Sequence, residues 1–115
     1  MAAGGARTST NAIQLTANST MDVADGDLTL GGPMTSTGNF DLFVRGGKDL
    51  IVKGYISNVG AGGTDIQASR MVIDGAGCTN VDDGIRLYAQ GATAELEIKN
   101  GGIYELGLLN GNPNL

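Results

Sequence analysis

Four short segments of the chain share one template. "DLTLGG" at residues 27–32, "DLIVKG" at 49–54, "RMVIDG" at 70–75 and "ELEIKN" at 95–100 each run polar, apolar, any, apolar, any, then Gly or Asn. Leu28, Leu50, Met71 and Leu96 fill the first apolar slot at steps of 22, 21 and 25 residues. A second template lies between them in "NFDLFVRG", "GTDIQAS" and "GIRLYAQG", with Leu42, Ile66 and Leu87 at steps of 24 and 21. Within each segment the apolar positions are two apart, as a pleated strand with one buried face requires. Self-similarity at a fixed period of this length marks a solenoid, because each unit is too small to bury its own apolar face and stacking joins those faces into a column. The spacing therefore predicts an all-β chain, a short parallel β-helix-like solenoid of three to four coils of 21–25 residues with two strands per unit. An antiparallel β-sandwich or jelly roll is the alternative, since short strands recurring about every 8–12 residues fit that fold equally well.

Composition agrees with stacking. The 20 glycines interrupt every apolar run before a helical period can establish itself, and no Trp, 2 Phe and 3 Tyr leave the interior to Leu, Ile, Val, Met and Ala. A single domain is expected over residues 21–107, with an N-terminal arm at 1–20 and a C-terminal tail at 108–115. The ends of so short a solenoid leave backbone and apolar side chains uncovered, so the missing core is expected from neighbouring chains. Ile13, Leu15, Leu108, Leu109 and Leu115 are the candidate partner contacts, standing among polar and turn-forming residues of the two terminal segments.

Several chemistries are excluded by what the chain lacks. With no histidine, the commonest general base and metal ligand is missing, and with Cys78 as the single cysteine no intramolecular disulfide or thiolate cluster can form. Cys78 reads as a small packed residue of the loop "GAGCTN". A net charge of −5 opposes collection of nucleic acid at the surface. No membrane helix and no secretory signal is visible, so the expectation is a protein assembled where it is synthesised. "DVADGD" at 22–27 misplaces the acidic positions of a calcium-binding EF-hand loop, and no Gly-rich stretch ends in the Lys-Ser or Lys-Thr of a phosphate loop. "GAGGTDI" at 60–66 resembles a fragment of the calcium-binding Gly-Asp nonapeptide, which needs tandem copies that are missing here. No metal or cofactor is expected. Lys48, Lys53, Lys99, Arg45, Arg70 and Arg86 lie scattered near strand ends and read as protection of edges against aggregation.

Segments such as "GDLTLGG", "KDLIVKG" and "AELEIKNGGIYELG" resemble coils of the parallel β-helices found in filamentous haemagglutinin-type adhesins and phage tail spikes, over residues 21–107. In general character, a small acidic β-protein without histidine or disulfide also resembles the head-decoration, or cement, proteins of tailed phages. That resemblance implies a non-enzymatic structural protein of the virion, made in the host cytoplasm. It would bind the major capsid protein on the outer capsid surface as a homo-oligomer, with a trimer favoured. Two further readings stay open. A surface adhesin or receptor-binding tip would need an aromatic platform for carbohydrate, for which Tyr55, Tyr88 and Tyr104 are the available residues. A β-helical polysaccharide-active enzyme would need a carboxyl pair. Asp82 and Asp83 are adjacent and precede a Gly as turn aspartates do, while Glu95 and Glu97 share the solvated side of a strand.

Overall fold

A computed structural model describes residues 5–36, 40–54, 56–57, 63–75, 79–82, 85–89, 92–106, 108–109 and 112–113. Every regular element among them is a strand. The first coil is β1 (Arg7–Ser9), β2 (Ile13–Leu15) and β3 (Ser19–Asp22); the second is β4 (Leu28–Leu30), β5 (Met34–Ser36) and β6 (Leu42–Arg45). The third is β7 (Asp49–Val52), β8 (Ile56–Ser57) and β9 (Thr64–Gln67), and the fourth β10 (Arg70–Asp74), β11 (Thr79–Asp82) and β12 (Ile85–Tyr88). Strands β13 (Glu95–Lys99) and β14 (Ile103–Leu106) begin a fifth. Stacked, they form sheet A in the order β1-β4-β7-β10-β13, sheet B in the order β14-β11-β8-β5-β2 and sheet C in the order β12-β9-β6-β3. All neighbours in these sheets run parallel. The chain is a short β-solenoid, and the sandwich alternative falls because that fold is built from antiparallel pairs.

The periodicity is the register itself: Leu28 pairs with Leu50, Leu50 with Met71 and Met71 with Leu96. Three strands make up each coil, not the two expected. The extra strand is the sheet B member, whose sequences "MTS", "IS" and "TNVD" lack the apolar alternation that marks a strand in isolation. A second difference lies at the amino terminus. Residues 1–20, expected as an arm, contain β1, β2 and the start of β3, and β1 pairs with β4 although "RTS" carries no apolar residue. At the other end, β15 (Leu108–Leu109) and β16 (Asn112–Pro113) form a small antiparallel pair. Among the described residues no helix is long and apolar enough to cross a membrane.

Register converts the repeat into columns. In sheet A, Leu28, Leu50, Met71 and Leu96 stack in one column, and Leu30, Val52, Ile73 and Ile98 in a second. In sheet C, Met21, Val44, Ile66 and Leu87 form a third. The middle members, Leu50, Val52, Ile66, Met71, Ile73 and Val44, are fully buried and make up the centre of one continuous core. Burying a side chain of this size contributes about 1.5–3 kcal/mol, so the interior is held by its central coils.

One corner explains two glycines. Gly32 follows β4 and Gly54 follows β7, one coil above the other. A Cβ at Gly32 would stand 2.5 Å from the carbonyl oxygen of Asn11, and one at Gly54 would overlap the carbonyl oxygen of Gly32. The backbone thus turns too tightly onto the preceding coil for any side chain. Gly54→Ala is expected to lower unfolding free energy by about 1–3 kcal/mol, whereas Gly31→Ala should stay within about 0.5 kcal/mol. The neighbouring position has room, with Thr10 Cγ2 at 3.5 Å from the added carbon. Urea denaturation of the two variants side by side checks the contrast.

Candidate functional site

The two ends of the solenoid are chemically unlike. At the amino-terminal end, polar residues head the two sheet A columns, Arg7 pairing with Leu28 and Ser9 with Leu30, while the partly buried Met21 heads the sheet C column. At the carboxy-terminal end the columns finish on apolar residues that nothing covers among the described residues. Leu87 is 53% exposed although Ile66, directly below it in register, is fully buried. Ile98 is 46% exposed above the buried Ile73. Ile103, at 48%, and Tyr88, at 40%, are exposed too, on the outer faces of their strands, since Tyr104 and Leu87 next to them take the inner side. Leu96, Ile85 and Tyr104 are partly buried against the core. Large apolar side chains left exposed at the end of buried columns, Leu87 and Ile98 here, are candidates for a surface that meets a partner.

Outside the core, each coil is tied to the next by side chains one period apart. Asn18 Oδ1 accepts from the Asp41 N–H at 2.9 Å, and Asp41 Oδ1 from the Gly63 N–H at 3.0 Å. Asp27 Oδ1 accepts from the Asp49 N–H at 3.0 Å. Ion pairs run along the same direction. Arg70 joins Asp49 below it at 2.5 Å and Glu97 above it at 3.7 Å. Lys53 Nζ donates to Asp74 at 3.1 Å, and Asp74 also accepts from Asn100 Nδ2 at 2.7 Å. Arg86 Nε donates to Asp65 at 2.6 Å. Arg45 lies 3.8 Å from Asp22. The cations expected as scattered edge protection are therefore largely rungs of ladders between coils. Sequence missed this because the partners stand 21–27 residues apart and meet only when the register is known.

The structure places the candidate partner contacts in different surroundings. Leu15 is 4% exposed and belongs to the core, so it is corrected from a contact residue to an interior one. Its place at the end of β2 turns it onto the column face, where the second coil covers it. Ile13 is partly buried against the same core. Leu108 and Leu109 form β15, and their side chains, like Leu115, lie outside what is described. Leu87 and Ile98, the exposed column ends, carried a signal as members of the two templates, but a template gives no sign of which copy is the last. Of the tyrosines, Tyr104 packs against the core while Tyr88 is exposed; Tyr55 lies outside the described residues.

Many of the described carboxylates are engaged in hydrogen bonds or ion pairs between coils. Glu97 lies on the outer face of β13 between Arg70 at 3.7 Å and Lys99 at 3.9 Å, with Glu95 exposed on the same face. Asp65 of "GAGGTDI" is buried and paired with Arg86. Asp82 ends β11 with its side chain undescribed, and Asp83 and Cys78 lie outside the described residues. Among the described residues no three His, Cys, Asp or Glu side chains gather to hold a metal ion. Asn100 and then Lys53 hold the Asp74 carboxyl below its ordinary value, while Asp49 raises Arg70 and Asp65 raises Arg86 above the usual guanidinium range. No family model matches the chain, and neither the curated proteins nor the solved structures give a match.

Two outcomes follow from these ladders. Asp74 has a folded pKa below its unfolded value of about 3.9, so its contribution is complete above that pH and disappears as pH falls through the folded value. Thermal melts between about pH 5 and pH 3 should therefore show a smaller acid-induced drop for Asp74→Asn than for the unaltered chain. Arg86→Ala leaves the Asp65 carboxylate, 7% exposed, without its cation. The loss should be about 1–3 kcal/mol by denaturant titration, against less than about 0.5 kcal/mol for Arg45→Ala at its exposed pair.

Proposed function

We propose that this chain is a non-enzymatic structural protein whose interior is completed by association, acting as a decoration or cement protein on the outer surface of a viral capsid. The observation that carries this reading is that Leu87 and Ile98 continue buried columns into solvent with nothing covering them among the described residues. The flanks support the same reading in a different way. Their charges are spent on ladders that stiffen the stack, which suits a rigid spacer that bridges neighbouring subunits more than a site that must turn over a ligand.

In this reading the major capsid protein is the partner, the virion exterior is the location, and the protein acts as a homo-oligomer, for which the resemblance to cement proteins favours a trimer. Apolar side chains and strand edges supply the contacts while exposed carboxylates keep the decorated particle soluble. No described group argues for carbohydrate chemistry, since Tyr104 is committed to the core and Tyr88 stands without a second described ring beside it.

Purified protein mixed with capsids of the source virus assembled without it should co-sediment to a fixed stoichiometry and raise the temperature at which those particles rupture. Protein that stays in the supernatant at every concentration defeats the capsid assignment. Binding on a glycan array in its place would transfer the assignment to an adhesin.

A further inference from the structure

From the chemistry of β13 we infer that the carboxy-terminal end is closed by a second copy of the same chain, joined through an antiparallel pairing of β13 with itself about a two-fold axis at Glu97. The inference rests on the oligomeric part of the reading above and is independent of capsid attachment. Strand β13 is the last member of sheet A, and among the described residues no strand pairs with its far edge. Its near edge is defined by hydrogen bonds to the fourth coil: the Glu95 N–H donates to the Ser69 carbonyl at 3.0 Å, and the Lys99 carbonyl accepts from the Gly75 N–H at 3.1 Å. Backbone groups alternate sides along a strand, so those of Leu96 and Ile98 point away from β10 to the open edge.

Only an antiparallel partner related by a two-fold axis can bring identical edges together with closed symmetry. Centred on Glu97, that axis sets Leu96 opposite the partner's Ile98, and each pair exchanges two backbone hydrogen bonds at the open edge. It also sets Glu95 opposite the partner's Lys99, twice over. The sequence "ELEIK" is thus complementary to its own reversal in both charge and apolar character. A register centred on Ile98 would pair Glu97 with the partner's Lys99, but it runs off the strand, since Asn100 has φ 54° and turns the chain away. The cost of the chosen register is Glu97 facing the partner's Glu97, and Arg70, 3.7 Å away on each side, supplies the compensating charge. Inward-facing side chains stay on their own face of the sheet, so the exposed Ile98 and Leu87 come to lie against the partner's end. A trimer packed side by side would leave this end open, so the pairing favours a dimer in its place.

Sedimentation equilibrium of the full chain, without any capsid, tests the pairing. The expected result is a dimer. Glu95→Lys or Lys99→Glu alone should weaken it about tenfold by turning two opposite-charge contacts into repulsions. The double swap Glu95→Lys/Lys99→Glu should restore it, and Glu97→Gln should tighten it. Geometry supplies a second readout that does not depend on affinity. In a Cys78→Ser background, Glu97→Cys places thiols on directly opposed residues about 4.5 Å apart at Cα, within disulfide reach, so mild oxidation should link the chains. Glu95→Cys alone should not link. A monomer or trimer at high concentration, failure of the double swap to restore, or equal linking at the two positions overturns the inference. Glu95 and Lys99 are exposed, so circular dichroism melts of their variants should stay close to that of the parent.

Discussion

In-register stacking of parallel strands is the constraint on which the rest of this molecule depends. Each coil by itself offers only three short strands with a few apolar side chains, too little surface to outweigh the entropy of ordering them. Register places Leu50 on Leu28 and Met71 on Leu50, and the same operation aligns Val44, Ile66 and Leu87 in the facing sheet. The core is therefore a set of vertical columns, filled by whatever side chain recurs at each height. Medium-sized aliphatics suffice because neighbours above and below are as close as the strand spacing, about 4.8 Å. This is why a chain with no tryptophan can still bury a dozen apolar residues almost completely.

The same constraint governs the polar residues. Because every coil repeats the path of the one beneath it, a side-chain oxygen at a corner finds the next coil's amide at a fixed distance, as those of Asn18, Asp41 and Asp27 do. Where the residue one coil away is a cation, the contact becomes an ion pair. Most of these pairs are exposed and each is worth little by itself. Asp65 differs, since it is withdrawn from water and Arg86 is what makes its charge tolerable there. A stack built this way has no internal reason to stop.

Much of the architecture was legible in the residues. The templates around Leu28, Leu50, Met71 and Leu96 named the strands of sheet A and their register, while those around Leu42, Ile66 and Leu87 named strands of sheet C but misplaced one step, since Leu42 pairs with Thr64 and it is Val44 that stands below Ile66. Sheet B was hidden, since "MTS" and "TNVD" become strands through their neighbours and carry no pattern of their own. For the same reason the first coil could be mistaken for an arm: "RTS" in β1 is recruited by pairing with β4. Of the candidate contacts, Leu15 failed because its alternation signals only a buried face, and burial against its own chain reads identically to burial against another.

The sequence by itself determined the strand-rich period and the absence of histidine and of any cysteine pair, because these depend on residue identity and spacing along the chain; parallel stacking rather than an antiparallel sandwich was decided by the structure. Tertiary structure alone decided the third strand of each coil, the pairing of charges a full turn apart, and which members of a column are buried. Those features depend on which residues come to lie above one another, so two copies of one template, such as Ile66 and Leu87, differ fully in exposure although they read alike in the sequence.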